Sequence, residues 1–286
     1  MAQVINWYPG HMFKAKKELI SQLKIIDIVI EVIDARVPIS SHNEMLDELT
    51  KHKTKLLIFT KADLVNDNYL KTFINYYEQK GYATIAISTT NSVDRKKLLS
   101  KIKSLAKPIQ EKALVKGITK LPRVLIMGMP NVGKSSVINF LVNRKKAVVG
   151  NTPGVTRQQQ WIKVEEVCEL LDTPGILIPK IEDITRGYKL VACGLIKDEV
   201  VELEHVATYL LEYLVNNYPT NLISAYHLGI DIDTLKSLEL FEVYDLIAQS
   251  IGAINRGESD YTRVSVNVIS YFRKQKFGLI VLDQNV

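Results

Sequence analysis

The first half of the chain gathers its apolar residues into short, β-branched runs at 25–33, 55–59, 82–87 and 123–127, each followed by a polar loop. Runs this brief and this uniformly apolar predict strands buried on both faces, as in a parallel sheet. Between them, 43–51, 67–80 and 92–106 repeat their apolar positions at helical spacing. The alternation predicts a doubly wound α/β sheet, with any phosphate ligand at the C-terminal ends of its strands. Two further runs, 160–164 and 167–171, flank the turn-like Glu165-Glu166 and predict an antiparallel edge. Beyond about Pro179 the strand pattern stops. The segments 200–216, 232–250 and 261–274 read as helices, punctuated by Pro219, Gly229, Gly252 and Gly257. The expected division is an α/β domain over 1–180 and a smaller all-α domain over 181–286.

Composition keeps this picture and narrows it. With 286 residues, 47% apolar and 24% charged, the chain can bury a real core and is too apolar to be disordered. Cys168 and Cys193 have neither metal-ligand spacing nor the density of a disulfide scaffold, so both are expected as reduced core thiols. Residues 1–17 contain no apolar signal core, and no stretch reaches the ~20 apolar residues that span a bilayer. A cytoplasmic protein without membrane contact, and a monomer, is the expectation.

The net charge of +6 is unevenly spread. Nine bases (Arg95, Lys96, Lys97, Lys101, Lys103, Lys107, Lys112, Lys116 and Lys120) face only Asp94 and Glu111 within 94–120. By contrast, 198–245 holds ten acids against the single base Lys236. Such patterning fits two solvated helix faces, or a phosphate-binding surface on the basic side.

Four motifs carry candidate chemistry. Gly128-Met129-Pro130-Asn131-Val132-Gly133-Lys134-Ser135 follows one predicted strand and precedes the helical 136–143, the setting a phosphate-binding loop requires. Its glycines let backbone N–H groups turn inward onto phosphate oxygens. Lys134 neutralises the β- and γ-phosphates, and the Ser135 hydroxyl ligates Mg²⁺. Asp172-Thr173-Pro174-Gly175 ends another strand, with Asp172 holding Mg²⁺ through water and the Gly175 N–H sensing the γ-phosphate. Thr60-Lys61-Ala62-Asp63 closes a third. The Asp63 carboxylate can accept from guanine N1–H and the exocyclic amine, donors that adenine lacks, while the Lys61 stem lies over the base plane. Ser88-Thr89 offers backbone donors to the guanine oxygen, and Pro153-Gly154-Val155-Thr156 can bring the Thr156 hydroxyl to Mg²⁺.

In most such GTPases the phosphate loop precedes the base-reading motif, whereas here Asp63 and Ser88 precede Gly128 and Asp172. The set, with Trp7-Tyr8-Pro9-Gly10-His11-Met12 at the start, resembles the circularly permuted ribosome biogenesis GTPase A (YlqF-type) family over essentially the whole chain. That resemblance implies a P-loop GTPase domain with permuted motif order and a helical C-terminal domain. It also implies a cytoplasmic role in late assembly of the large ribosomal subunit, with hydrolysis stimulated by the particle and contact with its rRNA. Nucleotide contacts carry over onto Lys61, Asp63, Ser88, Thr89, Asn131, Val132, Gly133, Lys134, Ser135, Ser136, Thr156, Asp172 and Gly175. Thr60 departs from the family's Asn and predicts a weaker but surviving hold on guanine, and Ile178 stands where the family often has Trp.

Hydrolysis lacks an obvious water-orienting side chain. Many GTPases place Gln just after the sensor glycine, but Ile176 and Leu177 occupy those positions. Asn131 matches the pattern by which some GTPases coordinate K⁺, and His11 is the other catalytic candidate beside Lys134 and Thr156. The leading reading is a GTPase of ribosome assembly. The competing one is a nucleotide-sensing regulatory module that recruits a protein partner through its acidic helices.

Overall fold

The computed structural model describes residues 17, 19–143, 160–172, 181 and 183–284, with Gln160 and Asp172 as backbone only. The chain forms two compact units. One comprises the residues up to 180 (from Asn6) together with those from Asp283 onward, and the other comprises Ile181–Leu282.

The first unit is built on a six-stranded sheet. Its strands are β1 (Ile28–Asp34), β2 (Thr54–Thr60), β3 (Ala83–Ala86), β4 (Arg123–Gly128), β5 (Gln160–Val164) and β6 (Cys168–Asp172), in the spatial order β3-β2-β1-β4-β6-β5. All neighbouring pairs are parallel except β5 with β6. β1 and β4 are central, and Ile28, Ile30, Val32, Ile33, Val124, Leu125 and Ile126 are all buried. This explains why their sequences are apolar without alternation: helices cover both faces. From β1 the chain steps outward through β2 to β3, and from β4 it steps the other way. The reversal lies between β1 and β4, where a sheet of this type opens its ligand crevice.

Helices α1 (Pro38–Ser41), α2 (Glu44–Leu49), α3 (Asp67–Gln79), α4 (Ser92–Leu114) and α5 (Lys134–Val142) connect these strands. Asn side chains start three of them: Asn43, Asn66 and Asn91 accept from N–H groups of α2, α3 and α4 respectively. α4 runs past the expected end at 106 and through Pro108 to Leu114. Proline removes one ladder hydrogen bond, but its exposed position and a further turn and a half of chain leave the helix continuous.

The second unit contains α6 (Ile184–Ala192), α7 (Leu203–Asn217), α8 (Pro219–Tyr226), α9 (Ile232–Ser237), α10 (Leu240–Ile251) and α11 (Tyr261–Arg273). A two-residue-per-strand hairpin, Ile254–Asn255 with Glu258–Ser259, interrupts the expected all-α pattern. The core is α7 packed on α11 and α6, with Val206, Leu210, Leu211 and Leu214 buried opposite Val264, Val268 and Phe272. The stretch expected as one helix over 232–250 is two, because Leu238 is extended at ψ 144°. Glu242 then accepts from the Glu239 N–H and starts α10 afresh.

The end of the chain was expected within the helical unit, but Asp283 lies in the first. Its carboxylate accepts from the N–H groups of Ile39 and Ser40 at 2.8 Å each and from the Ser40 hydroxyl at 2.7 Å. A carboxylate at the start of α1 satisfies N–H groups that a helix leaves unpaired. Among the described residues, no helix is long and apolar enough to cross a membrane.

Candidate functional site

The phosphate loop turns where β4 meets β1. At Gly128, φ is 153° and a Cβ would lie 2.4 Å from the Val32 carbonyl oxygen. No side chain fits there without parting the two central strands. Asn131 (φ 55°) and Gly133 (φ 101°) are left-handed, and α5 begins at Lys134 with no side-chain cap at Gly133. The first turn of α5 thus opens at the loop, the arrangement by which a helix start offers its N–H groups to an anion. Lys134 is buried and Ser135 half-buried beside it.

β2 ends next to this loop. The Thr60 hydroxyl lies 2.8 Å from the Ile33 carbonyl and 2.7 Å from the Val132 carbonyl, so its one proton is shared between β1 and the phosphate loop. Thr60 thus ties the end of β2 to the phosphate loop. After it, Lys61 is left-handed (φ 56°) and opens a 3₁₀ turn over Ala62–Leu64. This lifts Asp63 into solvent, where its carboxylate has no protein partner among the described residues. An exposed carboxylate becomes selective when a bound base desolvates it.

The Lys61 ammonium turns back to Asp34 at the end of β1, 2.6 Å from Oδ2. Arg36 grips the same carboxylate through Nη2 to Oδ2 at 2.7 Å, and through Nε and its backbone N–H to Oδ1 at 3.0 Å each. Burial of this fully enclosed carboxyl would raise its pKa, but the Arg36 and Lys61 cations outweigh that and hold it well below the ordinary range. Nothing in the sequence analysis selected Asp34 or Arg36. The available signal was a charged Asp-Ala-Arg at the C-terminal end of a strand that is β-branched apart from Glu31.

At the end of β3, the Ser88 N–H is taken by Asp94 at 2.9 Å, and the Ser88 hydroxyl pairs with Thr90 at 2.7 Å. Of the expected Ser88-Thr89 donors, the Thr89 N–H is the one with no such commitment. Asp172 closes β6 in register with Ile126 of the phosphate strand. His11, Thr156 and Gly175 lie outside the described residues. For Mg²⁺, the Ser135 hydroxyl at the start of α5 is a hard oxygen donor, and the Asp172 backbone ends β6 beside the phosphate strand. Among the described residues no group of three His, Cys, Asp or Glu forms a metal cage. That set fits an ion completed by nucleotide phosphates and water.

A family model described as 50S ribosome-binding GTPase matches residues 123–223. The chain is 41% identical over 282 residues to the ribosome biogenesis GTPase A of Bacillus cereus, covering 98% of this chain and 94% of that one. The chain belongs to the ribosome biogenesis GTPase A family. It is also 32% identical to mitochondrial ribosome-associated GTPase 1 of Mus musculus, covering 99% and 91% of the two chains. In fold it is similar to the GNP-bound YlqF from T. maritima, with a TM-score of 0.64 at 24% identity over 95% and 98% of the chains. As a member of the ribosome biogenesis GTPase A family, the protein is a GTPase whose motif order is permuted. The 123–223 match starts at β4 and leaves the base-side strands β1 to β3 ahead of it.

Proposed function

We propose that this GTPase binds guanine nucleotide between the 60–63 and 128–136 loops and uses hydrolysis to time a late step in large-subunit assembly. The observation that carries the reading is the Thr60 hydroxyl spanning Ile33 and Val132, which brings base-reading and phosphate-holding loops edge to edge. In this reading Asp63 selects guanine, Thr89 donates toward its oxygen, and Lys134 with the first turn of α5 holds the phosphates. Ser135, Thr156 and Asp172 hold Mg²⁺, which when bound offsets phosphate charge. Gly175 senses the γ-phosphate, and His11 or a K⁺ at Asn131 assists the attack.

Docking on rRNA falls to the exposed lysines of α4 and its extension: Lys96, Lys103, Lys107, Lys112 and Lys116. Not every base in this region is available. Arg95 is turned inward, donating to the Phe140 and Leu141 carbonyls at the end of α5, and Lys120 pairs with Asp27. In the helical unit Arg273 is likewise spent, on the Val191 and Ala192 carbonyls and on Asp198, which leaves Lys274 and Lys276 exposed.

GTP turnover measured with no ribosomes, small subunits, large subunits and large-subunit precursors tests the proposal. A large rise confined to the large particle or its precursor is expected. Equal turnover in all four removes the assembly role. RNA affinity should fall with salt, and Lys103→Ala, Lys112→Ala and Lys116→Ala combined should reduce the log–log slope by about 2–3, since each lost phosphate contact removes ~0.7–0.9. Particle binding indifferent to both salt and these changes would favour the protein-recruiting alternative.

A further inference from the structure

The geometry points to Asp34 as a positioning residue for nucleotide binding: its carboxylate, locked by Arg36, holds the Lys61 side chain in place as the floor on which the purine ring lies. The inference deepens the reading of 60–63 as the base-side loop and rests on it.

Lys61 is a surface residue with a side chain about 29% exposed, and hydration alone would satisfy its ammonium. Instead the ammonium is drawn onto a fully buried carboxylate, and the backbone adopts a left-handed conformation that non-glycine residues reach at a cost. A flexible lysine stem loses roughly 2 kcal/mol of rotamer freedom when it is immobilised. Fixing it before the ligand arrives removes that cost from binding.

The clamp is itself braced. Arg36 saturates both oxygens of Asp34, so the carboxylate cannot rotate away from Lys61. The Asp34 N–H donates to the Ser41 hydroxyl, which donates to the Val37 carbonyl. Asp283 pins the intervening Ile39 and Ser40, and the Ala35 N–H donates to the Thr60 carbonyl immediately before Lys61.

The two aspartates should then fail differently. Asp63 reads edge groups of the base, so its loss changes which purine is preferred. Asp34 acts through the stem beneath the ring, so its loss weakens every purine nucleotide alike.

The test is a set of dissociation constants for GDP, inosine diphosphate and xanthosine diphosphate, measured calorimetrically on the full chain and on D34N, K61M, D34N/K61M and D63N. Asp34→Asn should weaken GDP and inosine diphosphate in the same proportion, about tenfold, leaving their ratio intact. In the Lys61→Met background the same change should add less than twofold. An equal loss in both backgrounds would mean that Asp34 serves only the loop's structure and would overturn the inference. GDP affinity within twofold of the parent in K61M overturns it as well, and that variant keeps the Asp34–Arg36 pair should D34N not fold. If D63N leaves guanine preferred over xanthine, the base-loop reading itself fails. If D63N switches preference while D34N does nothing, only the inference fails.

Discussion

The loops leaving β1 and β2 run side by side, and each carries an aspartate, yet the two carboxylates are treated in opposite ways. Asp34 is enclosed, gripped by Arg36 and Lys61, and ionised far below its ordinary range. Asp63, on the neighbouring loop, stands in solvent with no protein partner among the described residues. A carboxylate surrounded by donors is finished before any ligand comes and can only position. One left to water exchanges those hydrogen bonds for a ligand's and can select.

The sharpest way to break this contrast is at Asp63. Asp63→Asn replaces an acceptor pair with an amide that matches xanthine better than guanine, and GDP affinity should fall by about 10²-fold or more, since a polar site rejects a mismatched partner strongly. Competition between GDP and xanthosine diphosphate measures it. Because Asp63 is exposed, the melting temperature without nucleotide should stay within a degree or two. A large loss of Tm would mean that Asp63 is as structural as Asp34, and the contrast would go.

Next in size is the bridge between the two halves of the site. Thr60→Val keeps the shape but removes the proton that Val132 and Ile33 share. Buried carbonyls left without a donor cost about 1–3 kcal/mol, so the free protein should melt several degrees lower. GDP affinity should drop about tenfold as the phosphate loop loosens. If only stability falls, Thr60 belongs with the scaffold and contributes nothing to the ligand site.

These residues differ in how readable they were. The phosphate loop and the 60–63 loop are contiguous motifs, each set between a strand and a helical turn, so their meaning travels with the local sequence. Asp34 acquires its role only when the sheet order sets β1 between β2 and β4, an arrangement no local pattern contains. Asp283 contacts a residue 244 positions away, and four residues at the end of a chain give no periodicity to read. Arg95 counted as surface charge because a tally of side chains does not include the helix-end carbonyls that claim it. Thr60 was read as a departure from the family's Asn that weakens the hold on guanine. The Val132 carbonyl that its hydroxyl meets lies in the phosphate loop, 72 residues further along the chain.

The smallest effect sharpens the contrast from the scaffold side. His42, the residue closing α1 on the Asp34 loop, sits between Glu31, 3.0 Å from Nδ1, and Asp47, 3.1 Å from Nε2. Burial lowers its pKa, but Glu31 and then Asp47 reverse this and raise it to about 9. Because the folded value lies above the unfolded one near 6.5, the imidazolium stabilises the fold fully below pH 6.5. That contribution fades as pH climbs and is gone above about 9. Asp47 is partly exposed and its share is screened, so the total is on the order of 1–2 kcal/mol. Thermal melts from pH 6 to 10 should therefore show Tm falling through this window, and His42→Gln should flatten the curve while lowering it at pH 6. Nucleotide affinity should not follow the same curve, because Asp34 stays ionised throughout and Arg36 keeps it aimed at Lys61. If GDP binding weakens in step with Tm, the loop is held by His42 as much as by its own aspartate, and the positioning assigned to Asp34 must be shared.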